Sequence, residues 1–189
     1  PTATPTPTPA QMPPTPTVGP PDVLLLDAIN QENVAVVKQH IQIGTNVNAS
    51  FIPEGFPFAG ASAVHLAVLK QNEEIVQLLL NGGADIDIKA KEYYGGTPLH
   101  WAAFWALSDM TELLVNAGAD VNSKDNFDST PLDFAGVENP FVDQKAEPFT
   151  QNRSDIQKFL RENGGQTTIA MATPTPVSIL PPTTPIATI

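Results

Sequence analysis

Apolar residues recur along this chain with helical spacing, and the runs stop at glycine. The clearest is Ile75, Val76, Leu78, Leu79 and Leu80, a broad apolar face that predicts a helix buried between neighbours on both sides. Gly83 follows, where a positive φ ends a helix without cost to a residue lacking Cβ. Two other segments align with this one. Ile41 to Asn48 reads IQIGTNVN, Leu80 to Asp87 reads LNGGADID and Val115 to Asn122 reads VNAGADVN. Upstream, Ala28, Ala67 and Ala102 each stand 16 residues before their glycine, at Gly44, Gly83 and Gly118. A fourth, degenerate copy runs from Thr130-Pro131-Leu132-Asp133-Phe134-Ala135 to Gly164-Gly165, with Ala135 standing 29 residues before Gly164, so 13 have been inserted. The alanine-to-alanine spacings are 39, 35 and 33. One unit is reused, and because an isolated copy would expose its apolar face, stacking of copies must create the core.

Each full copy predicts two helices. Thr97-Pro98 and Thr130-Pro131 start the first one: threonine is a good N-cap, and proline is tolerated in a first turn, where its missing N–H would have had no helical partner. Small residues at Ala67, Ala102, Ala103 and Ala135 let neighbouring helices approach. The Ala-Asp-Val-Asn stretch after the second helix turns out into a hairpin.

These blocks resemble the ankyrin repeat. The best copy is Gly96-Thr97-Pro98-Leu99-His100-Trp101-Ala102-Ala103 followed by Leu113-Leu114-Val115-Asn116-Ala117-Gly118-Ala119-Asp120-Val121-Asn122. The second copy keeps Val64-His65-Leu66-Ala67 without Thr-Pro, and the first keeps Ala28 and the Gly44 turn, as a terminal repeat does. The resemblance implies an all-α solenoid of about four helix-turn-helix repeats with hairpin fingers, its terminal repeats degenerate. It also implies a concave groove formed by the first helices and the fingers, and a role in binding a protein or peptide.

Composition bounds the repeat region. All 29 charged side chains fall between Asp22 and Glu162, whereas the first 21 residues hold 15 Pro or Thr. The expected organisation is a Pro/Thr-rich linker over 1–21, a repeat domain over 22–165 and a Pro/Thr-rich tail over 166–189, both ends flexible or semi-extended. A net charge of −11 with nine Lys plus Arg disfavours nucleic acid and anionic membrane surfaces and favours a basic partner. The absence of cysteine removes disulfides and thiolate chemistry. No apolar run of 18 residues is present, so no membrane insertion of this chain is expected. The sequence starts at Pro1. That is consistent with a signal peptide or lipid anchor upstream of a stalk like those of exported bacterial proteins, and equally with a fragment of a longer chain. Secretion or surface tethering is the expected localisation, with the cytoplasm as the alternative, and the expected state is a monomer.

In ankyrin repeats the two positions after the Ala-Ala pair vary and face the groove. Here they are Asn30 and Gln31, Leu69 and Lys70, Phe104 and Trp105, and Val137 and Glu138. Trp105 is the foremost candidate, because an indole buries much area with few rotatable bonds, with Phe104, Leu69 and Lys70 beside it. The alternative for Trp105 is packing beneath the fourth-repeat insertion, which spans roughly Val137 to Thr150 and is expected to cap the open end of the stack. Trp101 is expected in the core. The insertion Phe51 to Phe58 supplies Phe56, either at a binding tip or folded back over the first repeat. Tyr93 and Tyr94 belong to the next finger, where exposed tyrosines suit partner contact.

Catalysis is not indicated. His65 and His100 stand 35 residues apart at equivalent positions, where the resemblance implies a structural hydrogen bond to the neighbouring finger. Asp85 and Asp120, and Asp87 and Asn122, likewise follow the repeat rather than an acid–base pair. No cofactor or metal is implied. Competing with the binding module are a structural spacer or surface-display unit tethered by the Pro/Thr segments, and a non-catalytic fragment of a larger enzyme.

Overall fold

A computed structural model describes residues 24–168 apart from 50, 51, 55–57, 93, 140 and 142–147. The expectations for the Pro/Thr termini, Phe56 and Tyr93 therefore lie outside the described residues. The chain forms four helix pairs: α1 (Leu25–Asn30) with α2 (Val34–Gln42), α3 (Ala63–Leu69) with α4 (Glu73–Asn81), α5 (Pro98–Phe104) with α6 (Ser108–Asn116), and α7 (Pro131–Gly136) with α8 (Phe149–Glu162). First helices pack in series, α1 on α3, α3 on α5 and α5 on α7, and make one layer. Among the second helices α2 packs on α4 and α6 on α8.

The repeated alanines explain the spacing of the first layer. Ala28, Ala67, Ala102 and Ala135 are all fully buried, so any larger side chain would separate the helices. Between the layers lie Ile29, Val37, Ile75, Leu79, Leu99, Met110, Leu114, Ile156 and Leu160, each excluded from solvent. Each such side chain contributes roughly 1.5–3 kcal/mol through burial. The helices end as the glycine pattern requires. Gly83 and Gly118 take φ +88° and +98°, and the next N–H reaches back to Leu79 O and Leu114 O.

The second repeat starts with Ser62 and the third with Thr97, and the first-layer helices are locked by a reciprocal device. The backbone N–H of Ser62 donates to His65 Nδ1 at 3.3 Å, and that of Thr97 to His100 Nδ1 at 3.1 Å. The far side of each ring binds the next finger: His65 Nε2 to Gly96 O at 2.9 Å and His100 Nε2 to Ser129 O at 3.0 Å. Both histidines bridge neighbouring repeats, as the resemblance implied. In the fourth repeat Asp133 takes this place. Its Oδ2 accepts from Thr130 N at 2.9 Å and from Thr168 N at 3.1 Å.

The tail boundary drawn from composition at 166 is crossed by these bonds. Thr130 Oγ1 also donates to Gln166 O at 2.6 Å, and Asn122 holds Gly164 O and Gln166 N at 3.0 and 2.8 Å. Residues 164–168 thus occupy the place a fourth finger would take, which composition could not reveal because they carry no charge.

Candidate functional site

The candidate groove residues lie on the last turns of the first helices. Leu69 ends α3 and Lys70 is its C-cap, and Phe104 and Trp105 do the same for α5; all four are half-buried. Two adjacent aromatics on one helix must diverge, and here they do. Phe104 leans toward the fourth repeat, 6.2 Å from Phe134 between ring centroids, while Trp105 meets Phe104 edge-on at 5.7 Å.

Trp105 is enclosed by two insertions. Phe141, from the fourth-repeat insertion, stacks on it at 5.9 Å with the rings 26° apart, and Phe58, from the first insertion, meets its edge at 6.2 Å. Phe58 also lies 5.9 Å from Trp101, whose other side covers His65 at 5.0 Å. Trp101 is half-buried within this cluster rather than in the closed core. Phe58 and Phe141 remain 46% and 55% exposed, so the cluster presents an aromatic surface rather than a sealed plug. On its other flank Trp105 walls a cleft of about 350 Å³ with Gln71, Ser108 and Phe149.

The first insertion departs from one of its two expected courses, and the later one gives Trp105 its alternative place, packed against the insertion. Phe58 turns toward the third repeat, not the first. The described end of the later insertion folds back on the third repeat too: Asn139, fully buried, donates from Nδ2 to Phe104 O at 3.1 Å. Residues 166–168 engage the end of the stack through Thr130 and Asp133. The physical reason is that the half-buried rings at 101 and 105 offer apolar area to Phe58 and Phe141, which reach them from the two insertions.

The finger side carries a smaller aromatic pair. Tyr94 is half-buried, its ring 5.7 Å from Phe127 of the next finger, and Phe127 is 50% exposed. Phe127 escaped notice in the sequence because it stands alone among polar residues. Glu92 shapes this finger, accepting from Tyr94 N at 2.7 Å and Gly96 N at 3.4 Å, and its burial raises its carboxyl above the ordinary range despite these bonds.

The titratable groups serve architecture. Burial pushes the His65 imidazole down to about 4 and lowers that of His100, so both are neutral at pH 7, with Nδ1 free to accept a backbone N–H. Asp85 Oδ1 and Asp120 Oδ1 accept from the N–H two residues on, at 3.0 and 2.9 Å, closing turns. Among the described residues no group of three or more His, Asp or Glu could hold a metal, and no helix is long and apolar enough to cross a membrane.

A family model for ankyrin repeats, in three copies, matches residues 25–125, more than half of the 189-residue chain. The chain belongs to the ankyrin-repeat family. The match covers the first three repeats, and the fourth, with its insertion, lies beyond it. No curated protein matches the chain. As an ankyrin-repeat protein it is a non-enzymatic scaffold for binding protein or peptide. The aromatic cluster joins the first helix of its third repeat to the two insertions.

Proposed function

We propose that this ankyrin-repeat protein binds a protein or peptide through the concave face, with Trp105 as the anchor and Phe58, Phe141, Leu69 and Lys70 around it. The observation that carries this reading is the exposed aromatic surface spanning the first helices, where Phe58 and Phe141 leave half their area in solvent beside two half-buried indoles. Aromatic residues of this kind dominate interface energetics because they desolvate large area at low entropic cost. The finger pair Tyr94 and Phe127 extends the surface. The net charge of −11 raises the encounter rate of a basic partner. Uncharged Pro/Thr-rich segments on either side of the charged region suit tethering outside the cell, and secretion or surface display is the localisation we favour.

The spacer reading draws on one observation, that Trp105 is already partly covered by the chain's own Phe58 and Phe141. A pull-down from extracts of the source organism with the full chain, repeated with Trp105→Ala, separates the two. Binding through the groove predicts a retained protein whose Kd weakens at least about thirtyfold in the variant, as loss of a hot-spot tryptophan does, while the far-ultraviolet dichroism is unchanged. Equal retention by both would move the contact off the groove. Loss of helicity in the variant would make Trp105 a structural residue.

A further inference from the structure

The opposite face of the stack carries a second groove. The second helices pack directly at the first interface, α2 on α4, and at the last, α6 on α8, but α4 and α6 do not close on one another in this way. The residues at the first two interfaces differ. At the first, Ile41 fits against Gly82, where a Cβ would fall 3.0 Å from Ile41 Cγ2. One repeat on, Leu80 stands at the position of Ile41 and Ala117 at that of Gly82, so the space a glycine leaves is filled by a methyl group. Both residues line an open groove of about 500 Å³, a size that accommodates side chains of a docked segment.

The floor of this groove is apolar, Leu80 and Leu113, both packed against the core and half-exposed to the opening. Its rim is acidic: Glu73, Asp109 and Glu112 are all exposed. Neither α4 nor α6 contains a Lys, Arg or His, while α2 has Lys38 and His40 and α8 has Arg153, Lys158 and Arg161. Among the described residues the ion pairs are Lys124 with Asp128 and Lys158 with Glu162, both remote from this rim. Glu73 and Asp109 sit in first helical turns, where the helix dipole offsets part of their charge. Glu112 lies beyond the first turn and keeps its full field.

We infer that the groove between α4 and α6 is a docking site for a basic amphipathic segment of a partner protein, with apolar side chains seated on Leu80 and Leu113 and Lys or Arg reaching Glu73, Asp109 and Glu112. An apolar floor selects an amphipathic face, and a rim with acids and no cations selects its charge. The groove opens on the face opposite the aromatic surface, and of its lining residues Asp109 alone also borders the Trp105 cleft.

The probe is a 14-residue amidated peptide of leucine and lysine patterned as an amphipathic helix, titrated into the 15N-labelled full chain at about 50 mM salt. The expected result is amide shifts confined to residues 73–81 and 109–117, a Kd weakened about tenfold by Asp109→Asn with Glu112→Gln, and loss of binding in Ala117→Lys. That last substitution puts a cation into the groove at a helix C-cap, where the dipole favours it, and so leaves the fold intact. A matching leucine–glutamate peptide should not bind. The inference is overturned if that peptide binds equally, if the shifts fall on the Trp101 and Trp105 indoles, if the variants leave Kd unchanged, or if no saturable binding occurs.

Discussion

The first three repeats and the fourth solve one problem in two ways. In each of the first three, the first helix hands over to the second through a tight turn. Its central residue, Glu32, Gln71 or Ala106, takes φ of 55°, 53° or 54°, a conformation that costs a residue with a Cβ about 1–2 kcal/mol. In return the N–H of Asn33, Asn72 or Leu107 reaches back to the carbonyl of Ala28, Ala67 or Ala102, at 2.8, 3.3 and 2.9 Å. The fourth repeat has no such turn, yet Ala135 O is not left bare. Arg153 Nε donates to it at 2.7 Å and Gln157 Nε2 at 2.8 Å, while Arg153 Nη2 donates to Val137 O at 2.6 Å. The stack therefore demands a satisfied carbonyl at the buried alanine, not a particular turn. Once side chains of α8 supply the donors, the connection is free to lengthen, since loop closure grows only slowly in cost with length.

The histidine position breaks the comparison most strongly. In repeats two and three the ring must be neutral, because Nδ1 accepts a main-chain N–H that an imidazolium would oppose. Its folded-state value lies below its unfolded one, so the stabilisation is complete above pH 6.5 and is lost as pH falls toward about 4 for His65. That difference corresponds to about 3 kcal/mol. In repeat four, burial alone would raise the Asp133 carboxyl, but bonds from Thr130 and Thr168 outweigh it and hold it low, so this link survives until the carboxylate itself protonates. Urea titrations from pH 7 to pH 4 should show the steep loss, and in His65→Gln, whose amide does not titrate, the slope should flatten. An unchanged slope would mean that the acid sensitivity resides elsewhere.

Arg153 sharpens the comparison from the other end. Arg153→Ala should lower stability by about 2 kcal/mol, the cost of removing charged donors from two partly buried carbonyls. Arg153→Lys should restore little, because a single ammonium cannot span Ala135 O and Val137 O as the planar guanidinium does. If the lysine variant is as stable as the parent, the fork geometry is not what closes the fourth repeat. Urea midpoints of the three proteins decide it.

Most of the helical framework was legible because repetition gave three independent readings of each position. The alanines, the glycine stops and the bridging histidines all announce themselves by recurring. What could not be read lies where the period fails. Arg153 and Gln157 substitute for a turn that has no counterpart in the other copies, and Phe58 and Phe141 reach Trp105 along loops that obey no periodicity. The open groove at α4 and α6 could not be read from the repeat either, since the position held by Gly82 and Ala117 is Asn163 in the fourth copy, where the helices pack.

The smallest expected effect concerns a ladder that links successive turns. Asn48 donates from Nδ2 to Gly83 O at 2.9 Å and accepts from Asp85 N at 2.8 Å, and Asn122 makes the same two bonds to Gly164 and Gln166. Asp87 holds the middle rung. It accepts from Asp120 N at 3.1 Å but, while ionised, has nothing to donate to Gly118, which stands where Gly83 and Gly164 do. Burial raises its carboxyl above the ordinary range, the bond from Asp120 N opposes this, and repulsion from the Asp120 and Asp85 carboxylates adds to it. A raised folded-state value means the wild-type handicap is full at neutral pH and is relieved as pH falls and the group protonates. Asp87→Asn should therefore gain about 0.5–1 kcal/mol at pH 7, the net worth of one hydrogen bond. The gain should shrink in acid, where the wild-type carboxyl can itself donate, and shrink in part with salt, which screens the repulsion but supplies no donor. A gain that vanished entirely in high salt would assign the effect to charge alone and remove Gly118 from the ladder.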